Sequence, residues 1–244
     1  MESGREMIYL DSNATTAMLP EAVEAMLPWL SGNQANPSGS YRAAKLARAA
    51  IDDARGHVAS LIGADREEIV FTGSGTESVN TALHSLDALA GEGTALVSAI
   101  EHSAVLRYAE HGKRQVMKAA VSAGGRLELD SFRAACGAAA YVSVMAANNE
   151  TGVIQPLAEV IAIARGMGLP VHTDAVQAAG KIPIDVRLMP IDMLSISAHK
   201  FHGPKGVGAL YVRKDLDFSA MMLGGGQEKG RRSGTENVAG IVAM

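Results

Sequence analysis

Short apolar runs alternate with helix-patterned stretches along this sequence, and that alternation predicts an α/β fold: three layers, doubly wound, around a mostly parallel sheet. Strands are expected over 69–72, 95–99, 141–146, 171–173, 193–197 and 208–212, with helices over 77–90, 104–114, 129–138 and 157–167. Several of the strand runs are apolar almost throughout, which suits parallel strands covered on both faces. Polar clusters follow four of them, at 72–78, 148–152, 174–177 and 197–205. Ligands of open α/β sheets bind at the carboxyl ends of strands, so these clusters mark the expected site.

The elements before the first strand are read from turn chemistry and spacing. After an extended start at 8–10, Pro20 occupies the first turn of a helix whose apolar positions are Val23, Met26, Leu27 and Leu30. A loop over 33–40 contains Asn36-Pro37-Ser38. A longer helix over 41–62 follows, with Leu46, Ala50, Ala54, Val58 and Leu61 as its expected buried stripe and Gly63 as its stop. The Gly224-Gly225-Gly226 run is the most flexible-looking stretch and leads into the charged segment 227–232.

Composition narrows the function classes. A net charge of −4 argues against nucleic acid or an anionic membrane as partner. No apolar run approaches the length of a membrane span. The first six residues include Glu2 and Glu6 and no apolar core, unlike a secretory signal. Cys136 is the single cysteine, so no intrachain disulfide can form, which suits a reducing cytosol.

The strand-end clusters carry three kinds of chemistry. Gly75 and Thr76 lie where a strand passes into a helix, and a helix N-terminus with close backbone approach suits a phosphate. The same segment would also serve as an ordinary helix cap. Asp174 closes a strand, where a carboxylate can keep a pyridinium nitrogen protonated or can cap the turn after it. Lys200, in a glycine-bounded turn beside hydroxyl and imidazole groups, is placed for Schiff-base chemistry or is a solvated loop lysine. His199 and His202 lack the Cys or carboxylate companions of a metal site, so no metal is expected. His102 could cap the helix beginning there. An anion turn, a ring-nitrogen carboxylate and a strand-end lysine are together the parts of a pyridoxal site.

At this point the sequence resembles the cysteine desulfurases of the aminotransferase class V group, within the fold-type-I pyridoxal-phosphate enzymes. The motifs run from Ile8-Tyr-Leu-Asp-Ser-Asn-Ala-Thr-Thr16 through Asn36-Pro-Ser38, the 72–80 turn, Glu101-His102 and Asn148-Asn-Glu-Thr-Gly152. They continue through His172-Thr-Asp-Ala-Val-Gln177 and the 197–206 loop to Arg232-Ser-Gly-Thr-Glu-Asn237. The resemblance implies a short N-terminal arm over 1–16, then the large domain of a fold-type-I pyridoxal-phosphate transferase over 17–244. It also implies that a C-terminal small domain is absent from the chain.

The roles it implies are specific. Lys200 and His102 are the catalytic pair, the lysine binding pyridoxal 5'-phosphate and later moving the Cα proton. His102 stacks on the ring, Asp174 pairs with its nitrogen and Gln177 reaches its hydroxyl oxygen. Gly75, Thr76, Ser197 and His199 hold the phosphate, and Thr235 reaches the phosphate of the neighbouring subunit of a homodimer. Asn149 lies at the cofactor and, with Asn36, near the substrate carboxylate. The implied reaction converts L-cysteine to L-alanine and leaves a persulfide on an enzyme cysteine, supplying sulfur to an acceptor or scaffold protein for iron–sulfur cluster or thiolation pathways.

The nucleophilic cysteine and the carboxylate-binding arginine of that family lie C-terminal to everything here. Cys136, in an alanine-rich helical stretch, is expected to be buried and not to replace the nucleophile. Residues 237–244 read as the opening of an apolar helix with Ile241 and Val242 left exposed, so a fragment is expected, binding the cofactor weakly and releasing no sulfur by itself. The open alternatives are a selenocysteine lyase, another class V β-lyase or transaminase, or a cofactor-free scaffold subunit.

Overall fold

The computed structural model describes residues 8–244; the opening acidic segment discussed above lies outside them. Helices α1 (Pro20–Ser31) and α2 (Arg42–Leu61) precede the first strand, β1 (Ile69–Thr72). Then come α3 (Gly75–Leu89), β2 (Thr94–Ser98), α4 (Ser103–His111), β3 (Val116–Ala119), α5 (Leu129–Cys136) and β4 (Ala139–Ser143). Helix α6 (Leu157–Gly166), β5 (Val171–Asp174), β6 (Met193–Ser197), β7 (Gly208–Val212) and α7 (Val238–Val242) complete the order.

The seven strands form one sheet in the order β1-β7-β6-β5-β4-β2-β3. Strands β6, β5, β4, β2 and β3 pair in parallel, while β7 runs antiparallel to both of its neighbours. One face is covered by α2, α5, α6 and α7, whose Val58, Phe132, Ile161 and Ile241 pack on Phe71, Val142, Val171 and Ile196. The other is covered by α3 and α4, whose Val79, Leu83 and Val105 pack on Val97, Tyr141, Met193 and Leu210. The expected three-layer, doubly wound fold is the one observed. Residues of β5, β6 and β7 are buried at every position, the polar His172, Thr173, Asp174, Ser195 and Ser197 included.

Several local expectations change. The strand β3 has no counterpart in the expected list, because its Val-Met-Lys-Ala sequence is too short and too mixed at a sheet edge to stand out. In α2 the buried residues are Ala44, Ala47, Ile51, Ala54, Gly56, Val58 and Ala59, whereas Leu46 and Leu61 are exposed. The helix faces the sheet largely with small residues; Ala54 and Val58 of the expected stripe are on that face, and its two leucines are not. Helix α1 buries none of its residues, and Val23, Leu27 and Leu30 are exposed. Ile241 is the opposite case: expected exposed, it is 3% exposed and belongs to the core beneath α2.

The charged segment after the three glycines is anchored. Glu228, in a backbone conformation with φ +48°, turns inward and is 7% exposed. The Arg55 guanidinium donates to both of its carboxylate oxygens at 2.7 and 2.8 Å, and the Phe71 N–H donates to it at 2.9 Å. Arg55 also lies over the Phe71 ring, 4.9 Å from its centroid. Removing one partner of a buried pair leaves the other charge uncompensated. Glu228→Ala is expected to lower the unfolding free energy by about 3 kcal/mol in urea titration, and Glu228→Gln by less.

Candidate active site

The carboxyl ends of β4, β5 and β6 and the N-terminus of α3 surround one cavity of about 390 Å³. Its wall includes Ser74, Gly75 and Thr76 from the β1–α3 turn, His102 before α4, Met145 and Asn149 after β4, and Asp174 and Gln177 at the end of β5. Ser197, His199 and Lys200 enter from the end of β6, and Asp11, Asn13 and Ala14 from the N-terminal arm. Nine of the ten expected cofactor residues, all except Thr235, therefore meet in one place. Asn36 and Thr235 do not line it. Asn36 closes its own turn, accepting from the Ser38 N–H at 2.9 Å.

The anion turn is set by two close approaches. A Cβ on Gly208 of β7 would come within 2.6 Å of the Ser74 carbonyl carbon, so only glycine lets the turn lie across the sheet there. A Cβ on Gly75 would meet Val176 Cγ2 at 2.9 Å and Ser197 Cβ at 3.0 Å. The Ser74 hydroxyl caps α3 by accepting from the Glu77 N–H at 3.0 Å. The N–H groups of Gly75 and Thr76 belong to the first turn of α3, which leaves them without intrahelical acceptors, and both residues line the cavity with Ser197. Glu77 also accepts from Arg232 at 2.7 and 3.1 Å, which fastens the 232–235 segment to this turn.

Asp174 is 6% exposed. The one hydrogen bond to its carboxylate among the described residues comes from the Val176 N–H, 2.9 Å from Oδ1. The capping role weighed from the sequence is therefore real, and it occupies a single oxygen. Burial raises the carboxyl above its ordinary value, against the Val176 bond and the charges of His102 and Lys200. Beneath it, on the same face of the sheet, the Ser143 hydroxyl contacts His172 Nδ1 at 2.8 Å and His172 Nε2 contacts the Ser195 hydroxyl at 3.0 Å. Burial pushes His172 down to about 3, so this row is uncharged at neutral pH.

His102 does cap α4: its Nδ1 accepts from the Ala104 N–H at 3.1 Å. His199 is held by Thr15 Oγ1 at 3.1 Å and lowered by burial and by the charges of Lys200 and Lys205. Lys200 Nζ donates to the Asn13 and Ala14 carbonyls at 2.5 and 2.8 Å. Burial and the neighbouring charge of Lys181 lower its ammonium below the usual lysine range, against Asp11 and Asp174. The Gln177 amide spans Asn13 O and Lys181 Nζ at 2.8 and 2.7 Å.

Sequence reasoning named the arm and gave it no part in the site. Thr16 N–H and Oγ1 donate to His199 O, His202 N–H donates to Thr16 Oγ1, and Leu19 N–H donates to His202 O. The Asp-Ser-Asn-Ala-Thr-Thr run gave the only signal, as a polar run of small residues and amides. Met145 and Glu101 were also passed over, one for being apolar and the other for being buried.

Comparisons with known proteins show the family and the fold. Residues 8–244 match the sequence profile described as Aminotransferase class-V. The chain belongs to that family. Among curated relatives, a cysteine desulfurase of Cereibacter sphaeroides is 47% identical over 98% of this chain, and one of Sinorhizobium fredii is 48% identical over 97%. The chain spans 64% and 63% of their lengths, a little under two thirds. Among solved structures, a NifS-like protein superposes with TM-score 0.92 at 38% identity, covering 97% of this chain and 67% of that one. The structure titled SspA in complex with cysteine gives 0.93 at 38%, covering 97% and 71%. No helix among the described residues is long and apolar enough to cross a membrane.

The Gly75 contacts make a direct test of the anion turn. Gly75→Ala is expected to retain the fold by circular dichroism and to weaken binding of a phosphate-bearing ligand about tenfold, read by calorimetry.

Proposed function

We propose that the chain forms the pyridoxal 5'-phosphate-binding part of a cysteine desulfurase that converts L-cysteine to L-alanine and passes the sulfur to a thiol. The observation that carries this reading is the cavity's pairing of a buried carboxyl having one unfilled oxygen, Asp174, with a lysine of lowered pKa, Lys200. The residues fit the cofactor. Asp174 offers its second oxygen to a ring N–H, and Gly75, Thr76, Ser197 and His199 offer N–H, hydroxyl and imidazole groups to a phosphate.

When bound, the cofactor supplies an electron sink for the charge that develops at the substrate Cα. The chain's own residues do the rest. Asp174 holds a proton on the ring nitrogen, and His102 offers its ring as a stacking surface on the cavity wall. Lys200, released from the Asn13 and Ala14 carbonyls, takes the Cα proton, a task helped by its lowered pKa. Gln177 and Asn149 orient the ring hydroxyl and the substrate carboxylate.

Cys136 receives no role. It is 2% exposed, and burial raises its thiol, the reverse of an activated thiolate. The sequence has no other cysteine, so the sulfur-accepting thiol comes from outside these residues. Thr235, away from its own chain's cavity, is assigned to the phosphate of a second copy in a homodimer. Asn36 is assigned to substrate at the same junction. The setting proposed is cytoplasmic, with sulfur delivered to an acceptor or scaffold protein for iron–sulfur cluster assembly or thiolation.

Mixing the chain with pyridoxal phosphate is expected to produce a visible absorbance band that Lys200→Ala abolishes; a band that survives in the variant would overturn the assignment. Asp174→Asn is expected to weaken cofactor binding by about tenfold or more, measured by dialysis, because a neutral amide cannot match the ring charge.

A further inference from the structure

Glu101 lies in the loop between β2 and α4, next to His102, and none of the roles above uses it. It is 5% exposed. The Ser98 hydroxyl donates to Oε1 at 2.5 Å, and the Met145 N–H donates to the same oxygen at 2.7 Å. Both donors are uncharged, and Oε2 is buried with no partner. The ionisable groups facing it are Asp174 from β5, His102 on its own loop and Glu150 across an adjoining cavity.

An ionised Glu101 would place a second negative charge in the poorly solvated region of Asp174, with one oxygen unsatisfied. Two carboxylates in such a region do not both ionise cheaply, and a buried charge without a partner is costly. The neutral acid keeps Oε1 as acceptor for both donors and leaves the charge where a cationic ring nitrogen would use it. Resting on the assignment of Asp174 to that nitrogen, we propose that Glu101 is a positioning residue: a carboxylic acid kept neutral so that Asp174 alone bears the buried negative charge, while Oε1 ties the His102 loop to Met145 at the cavity wall.

Burial pushes the Glu101 carboxyl up to about 8; the bonds from Ser98 and Met145 oppose the rise, and the charge of Asp174 adds to it. A carboxyl raised by folding contributes its stability fully below its unfolded value of 4.5, and that contribution is lost as pH climbs through about 8.

Glu101→Gln keeps an acceptor for both donors and cannot ionise. In the cofactor-free 244-residue chain, its Tm relative to wild type is expected to rise steadily between about pH 5 and pH 8 and then level off. With pyridoxal phosphate added, the variant is expected to bind within about twofold of wild type at pH 7, and wild type to lose affinity relative to it above about pH 8. Glu101→Ala, which removes the tie to Met145, is expected to lower Tm at every pH. A Tm difference for Glu101→Gln that does not change with pH, or binding weakened about tenfold at pH 7, would overturn the proposal. Absence of cofactor binding in wild type and variant alike overturns the positioning role together with the pyridoxal reading, and the cofactor-free Tm comparison still decides the charge of Glu101.

Discussion

The site is organised around a buried carboxyl that the protein only half satisfies. Asp174 ends β5, the central strand of the sheet, and takes one hydrogen bond from its own turn. A carboxylate in such a place is stable only where the groups around it are neutral or positive. That condition is met on each side: His172 lies below it as an uncharged imidazole, His102 and Lys200 bring favourable charge, and Glu101 resists ionisation. The cavity is thus polar but sparingly charged, and the unfilled oxygen of Asp174 is what gives it a direction.

The anion turn depends on a different constraint, which is steric. Gly208 lets the Ser74 backbone cross the sheet, and Gly75 lets the first turn of α3 approach Ser197. The late segment around Glu228 and Arg232 is then clipped to Arg55 of α2 and Glu77 of α3. Two ion pairs therefore hold the 228–235 segment against elements from the first third of the chain.

Much of this was legible in the sequence, for identifiable reasons. The central strands were plain because burial on both faces makes them apolar without alternation, and the polar turns after them fell where an open sheet binds ligands. Lys200, Asp174, His102 and the Gly75-Thr76 turn could each be placed because their local context was a strand end. Edge strand β3 was missed for want of that burial. The α2 face was read in part: Ala54 and Val58 are buried as expected, whereas Leu46 and Leu61 are exposed and Ala44, Ala47 and Ile51 pack in the core instead. Glu101 was invisible as a functional group, since its character comes from the burial that folding imposes and not from its neighbours in sequence. The arm was opaque for the same reason: its contacts with 199–202 span separations of 183 to 187 residues.

Those separations bear on how the molecule is made. Residues 13–19 emerge from a ribosome long before 199–202, yet each segment supplies the hydrogen-bond partners of the other. Contacts of such range form slowly and late, because the intervening chain must be ordered before the loop they close becomes favourable. The sheet and its two helical layers can assemble first, with the pocket open on one side. The lysine and its carbonyl partners meet only once the sheet is built, so a protein whose arm has not yet docked would carry a complete core and an unfinished mouth.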